Sequence, residues 1–207
     1  MRSVIICKSL MNIEIIKQLI YRHPGIYSIS IALILISAFQ IDFTEEKIRD
    51  DKGRTPLYLA AENSDVSTVA SLLEEIDNPD QRDSCEWTPL MRSAQNKHGE
   101  VAKLLLDAGA NVNAKDKGGY SVLMVASGSD NAGIIKLLAD KGANINEQEK
   151  DLGWSALIWS AKEGLYDNVV ALLEAGADVS LKDATGKTAY DWAIEKGYDE
   201  IARKLTE

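Results

Sequence analysis

WTPLMRSAQNKHGEVAKLLLDAGANVNAKD, residues 87–116, decides the fold. Thr88 is a residue type that caps helices, and Pro89 follows it at a first helical position, where no amide N–H is needed. A second helical run then carries Leu104, Leu105 and Leu106 to bury. Gly109 stops that run, because the position after such a helix commonly needs a left-handed backbone. The stretch therefore reads as turn, helix, helix and glycine stop.

The unit recurs. Its opening hydroxyl residue returns as Thr55, Thr88, Ser121, Ser155 and Thr188, at spacings of 33, 33, 34 and 33. Two residues later stand Leu57, Leu90, Leu123, Leu157 and Tyr190. Paired leucines follow at Leu72-Leu73, Leu104 to Leu106, Leu137-Leu138 and Leu172-Leu173, and Gly-Ala at Gly109, Gly142 and Gly176. Small pairs such as Ala60-Ala61, Ser93-Ala94 and Ser160-Ala161 let neighbouring helices approach closely. Gly53, Gly119, Gly153 and Gly186 precede the hydroxyl in tight turns. A fixed period near 33 is the signature of a solenoid.

These residues resemble the ankyrin-repeat family, whose pattern of G-x-TPLHxAA followed by EVVKLLLxxGAxVN is matched best at Thr88 to Asn113 and Ser155 to Val179. The resemblance implies an all-α repeat solenoid of helix–turn–helix units joined by β-hairpin-like loops. Five repeats are expected, at about 50–82, 83–115, 116–148, 149–182 and 183–207, within an ankyrin-repeat domain over 42–207. Three departures stand out. The first repeat has Ile76-Asp77 in place of Gly-Ala, so its second loop must take another path. The fourth has one extra loop residue near Asp151, and the last carries a polar outer face suited to a cap. The histidine of the TPLH motif is replaced by Tyr58, Met91, Met124, Ile158 and Asp191, so its hydrogen bonds must come from elsewhere or be lost.

Over 207 residues the net charge is −9, which argues against phosphate-mediated nucleic-acid binding. The charge is uneven: residues 1–38 carry Arg2, Lys8, Lys17 and Arg22 against Glu14 alone. In that segment an uncharged run from Pro24 to Ile41 lies between Lys17, Arg22 and His23 and the acidic Asp42, Glu45 and Glu46. This order places the N-terminal side in the cytoplasm. Residues 1–41 are expected to be a secretory signal peptide, or else an uncleaved signal anchor whose residues 24–41 contact the membrane. Met11 would give a more typical signal length. The competing reading packs Asn12 to Ile20 against the array as a helix, since NIEIIKQLI resembles a second helix of the repeats.

Chemistry is sparse. No His/Cys cluster has metal-ligand spacing, and neither a P-loop nor a dinucleotide fingerprint appears, so no metal, cofactor or catalytic residue is expected. His98 falls where many repeats of this family carry a Gly-His turn and is read as structural. Cys85 is read as a loop residue with no partner for nucleophilic work.

The residue just before each opening hydroxyl is expected at a loop tip, and that column reads Arg54, Trp87, Tyr120, Trp154, Lys187. Three aromatics in register point to a partner protein, because tyrosine and tryptophan are enriched at binding hot spots. The ends of the first helices extend the candidate surface through Asn63, Gln95, Asn96 and Lys162. Trp159 and Trp192, four residues past Ser155 and Thr188, are assigned to packing. The expected function is non-catalytic protein–protein interaction through the concave face and loop tips, with the repeats periplasmic, secreted or tethered outside the cytoplasm. A modulator or immunity-type inhibitor of bacterial origin fits that format by analogy. A membrane-anchored structural scaffold is the alternative, and an enzyme a remote one.

Overall fold

A computed structural model describes residues 49–207, so the leader reading of 1–41, with Cys7, His23 and residues 24–41, lies outside the described residues. The described residues fall in two compact units, one ending at Pro56 and one running from Leu57 to Glu207. In the first, Asp50 closes a turn by accepting from the N–H groups of Lys52 and Arg54.

The described residues form ten helices and no strands. They are α1 (Pro56–Glu62), α2 (Val66–Glu75), α3 (Pro89–Gln95), α4 (Gly99–Asp107), α5 (Val122–Ser127), α6 (Ala132–Asp140), α7 (Ala156–Glu163), α8 (Tyr166–Glu174), α9 (Ala189–Lys196) and α10 (Asp199–Lys204). Two helices fall in each expected repeat. First helices stack on first helices, α3 on α5 on α7 on α9, and second on second, α2 on α4 on α6 on α8 on α10. The result is a two-row, all-α repeat solenoid.

Local chemistry explains the starts of four first helices and the stops of the second helices. Thr88, Ser121, Ser155 and Thr188 turn their hydroxyls inward and accept from the backbone N–H three residues on, at 3.2–3.3 Å. A lost cap of this kind costs about 1 kcal/mol. Leu57, Leu90, Leu123 and Leu157 are buried, as are Ala61, Ala94 and Ala161 at the close helix contacts. The second helices end before Gly109, Gly142 and Gly176, whose φ values of 89°, 86° and 86° only glycine adopts cheaply. The first repeat leaves that pattern as expected: α2 ends at Ile76 in an extended conformation.

The missing motif histidines are replaced in two ways. Met91, Met124 and Ile158 are simply buried. Tyr58, also buried, accepts 3.0 Å from Arg92 Nε, and Asp191 completes a capping box with Thr188. The final repeat is less polar than its sequence implies. Tyr190 and Ile194 occupy positions buried in the other repeats, yet are 41% and 50% exposed; among the described residues no helix pair stacks beyond them.

Candidate functional site: an aromatic ladder along the first helices

The loops that carry the tip residues share one device. Asp83, Asp116 and Asp183 each accept, through one carboxylate oxygen, from the N–H groups two and four residues on. In all three the second donor is the tip residue itself: Trp87, Tyr120 or Lys187. The fourth repeat, with its extra residue, replaces aspartate by Glu149. Its longer side chain reaches the N–H groups of Asp151, Leu152 and Trp154 at 2.7–3.0 Å. Glu149 is 3% exposed, so a buried carboxylate holds Trp154 in place. The signal was available in the sequence as an acid five residues before each hydroxyl, six in the fourth repeat.

From these anchors a row of half-buried rings runs along the first helices. Tyr120 and Trp159 meet edge to face with centroids 5.3 Å apart, and Trp159 and Trp154 meet likewise at 5.6 Å. Lys162 Nζ then lies 4.8 Å from the Trp154 ring and 5.7 Å from that of Trp192. Lys187 Nζ also lies 4.2 Å from the Trp192 ring. Trp192 is fixed through its indole N–H, which donates to Asp183 at 2.8 Å. Aromatic pairs of this geometry contribute about 0.5–1.5 kcal/mol beyond burial, and exposed cation–π contacts about 0.5–1 kcal/mol. The ladder is thus held in shape without a partner.

Trp159 and Trp192, assigned to packing, pack on their neighbours and, being half-buried, also form part of this surface. Trp159 reaches Tyr120 because Gly128 lies beneath its ring, where an added Cβ would stand 3.3 Å from the indole. Trp87 stands apart from the ladder. Its indole donates to Asp116 at 3.0 Å, and Arg92 covers its ring at 4.9 Å.

The other candidate positions have local work. Asn96 donates to the Glu62 carbonyl at 3.0 Å, and His98 Nε2 lies 3.1 Å from the same oxygen, so both tie α1 to the next repeat. Asn63, just past α1, donates to the Leu59 carbonyl of that helix, and Gln95 accepts from Arg92. Lys162 also pairs with Glu163 at 3.1 Å, and Lys187 pairs with Glu195. Arg54 lies in the unit ending at Pro56, with Nε 2.7 Å from Asp50. Between neighbouring loops, Asn113 and Asn146 each accept from the backbone of the next repeat while donating to its glycine carbonyl. Asp80 accepts from Asn111 at the equivalent step.

Among the described residues no group of three or more His, Cys, Asp or Glu could hold a metal ion. No described helix is long and apolar enough to cross a membrane. Cys85 is an exposed free thiol.

A family model described as ankyrin repeats (3 copies) matches residues 4–116 and 123–207. The first match begins within the segment read above as a leader. Over 59 residues the chain is 34% identical to Acyl-CoA-binding domain-containing protein 2 of Arabidopsis thaliana, covering 28% of this chain and 17% of that protein. Over 46 residues it is 41% identical to Cyclin-dependent kinase 4 inhibitor B of Bos taurus, covering 22% of this chain and 35% of that protein. The chain therefore spans well under half the length of these curated relatives.

Proposed function

Since the chain belongs to the ankyrin-repeat family, we propose that it docks a partner protein on the ladder of Tyr120, Trp159, Trp154 and Trp192. Proteins of this family generally mediate protein–protein interaction and are typically non-catalytic. One observation carries the assignment to this face: its largest aromatic side chains are half-buried and already locked by neighbours. Rigid aromatic anchors bind with little loss of conformational entropy, so complementarity is realised at low cost. Docking of this kind modulates or inhibits the partner. The similarity to a protein named as a kinase inhibitor supports that mode, although over only 46 residues.

Affinity capture with the full chain tests the assignment. The wild type recovers a partner that a Tyr120/Trp154/Trp159 alanine triple variant recovers at least tenfold less well, as expected when anchors worth about 2 kcal/mol or more are truncated. Equal recovery by a folded triple variant would show that the partner docks elsewhere.

Export remains part of the proposal, supported by the uncharged run 24–41 behind Lys17 and Arg22. A second reading, in which the N-terminal segment is itself a repeat, is supported by the family match from residue 4. N-terminal sequencing of the mature chain decides between them. Cleavage near Ala38 supports a signal peptide, an intact chain in the membrane fraction supports an anchor, and an intact chain outside that fraction supports the added repeat.

A further inference from the structure

We infer that the wedge of Tyr120, Trp159 and Trp154 receives a lysine or arginine side chain, so that the partner presents a basic segment to the third and fourth repeats. The inference rests on the docking reading above and names the chemistry of the partner.

The array uses the same contact on itself. Arg92 covers Trp87 and Tyr58, Lys162 lies between Trp154 and Trp192, and Lys187 lies over Trp192. Seven residues past each opening hydroxyl the column reads Glu62, Gln95, Gly128, Lys162, Glu195. Where the fourth repeat supplies Lys162, the third supplies Gly128. Among the described residues no lysine or arginine of the chain lies over the Tyr120 or Trp159 ring. Of the three rings of the wedge, Tyr120 and Trp159 thus carry no cation of the chain, whereas Trp154 has Lys162 on it.

The surrounding charge selects the sign of the visitor. Asp116 supports the Tyr120 N–H, and Glu149 supports that of Trp154. Asp151 is exposed in the same loop as Trp154. Burial pushes the Tyr120 phenol upward, and the carboxylates of Glu149, Asp116 and Asp151 push it further the same way; they set a negative field at the Tyr120 end of the wedge, while Lys162, paired with Glu163, lies at the Trp154 end. A carboxylate entering here would meet that field and the negative ring faces. A guanidinium or ammonium is attracted by both.

The test uses the full chain and two peptides, acetyl-Arg-Arg-Arg-amide and acetyl-Glu-Glu-Glu-amide, with the indole N–H resonances read by NMR. The arginine peptide is expected to shift Trp159 and Trp154 saturably while Trp87, already covered by Arg92, stays still. Trp159→Leu and Tyr120→Ser, each checked for an unchanged melting transition, weaken binding roughly fivefold or more. Asp151→Asn weakens it less. Two variants are used so that loss of folding in one leaves the other as the test. Absence of saturable shifts, equal binding of the glutamate peptide, or unchanged affinity in a folded Tyr120→Ser variant would overturn the inference. If the alanine triple variant still loses the captured partner in that case, the docking face stands and only the basic character of the partner fails.

Discussion

Glu149 shows how one methylene group can match one inserted residue. Its carboxylate spans a loop one residue longer than those closed by Asp83, Asp116 and Asp183, and makes three backbone contacts. Glu149→Asp alone is expected to lower stability by about 1 kcal/mol, because partly buried N–H groups lose their acceptor. Removing Lys150 in the same variant restores the five-residue spacing and recovers most of the loss. Urea melts of the two variants check this; failure of the deletion to rescue would mean that the spacing is not what Glu149 serves. Asp183 adds a pH dependence. Burial pushes its carboxyl up, but the Thr185 hydroxyl, the Lys187 N–H and the Trp192 indole outweigh burial and hold it at about 2. Because the folded value lies below the ordinary 3.8, the stabilisation is fully present above about pH 4 and is lost as pH falls through about 2. Between pH 7 and pH 3 the wild type should lose on the order of 1 kcal/mol more stability in melts than Asp183→Asn does. The recurring hydroxyls and glycines were legible in the sequence because backbone geometry demands those residue types. The acid closing each loop was equally present but easily passed over, since aspartate is ordinary in turns.

At the level of helices and their ends, two glycines have opposite meanings. Gly142 follows α6 with φ 86° and open space around its Cα, so Gly142→Ala strains only the backbone and costs about 1 kcal/mol. Gly128 ends α5 with ordinary right-handed geometry, and a methyl group there presses on Trp159 at 3.3 Å. Gly128→Ala should therefore leave the melting transition nearly unchanged while weakening partner capture severalfold, and Gly142→Ala should do the reverse. Capture and thermal melts of both variants decide the matter; capture unaffected in Gly128→Ala would detach Trp159 from the binding face. Two rings of the ladder, Tyr120 and Trp154, come from the loop-tip column, because register alone fixes what precedes each hydroxyl. It could not place Trp159 and Trp192. Whether a tryptophan on a first helix turns inward or lies across its neighbour depends on what stands one repeat away, and for Trp159 that is Gly128. The same limit applies to Asn96, whose amide is committed to Glu62 of the preceding repeat.

Across the unit from Leu57 to Glu207, the period near 33 determined the architecture, since each helix pair can bury its apolar side only against the next. Where stacking stops, Tyr190 and Ile194 remain exposed, a consequence of position more than of residue type. The central claim is that a partner meets the first-helix row, where the ladder lies, and not the second-helix row with α4, α6 and α8. Oxidative footprinting of the full chain, alone and with the captured partner, tests this most directly. Trp154, Trp159 and Tyr120 are expected to become protected, while exposed side chains of the second-helix row such as Lys103 and Lys136 keep their labelling with a lysine reagent. Protection confined to Lys103 and Lys136, with the three aromatics still oxidised as in the free chain, would contradict it.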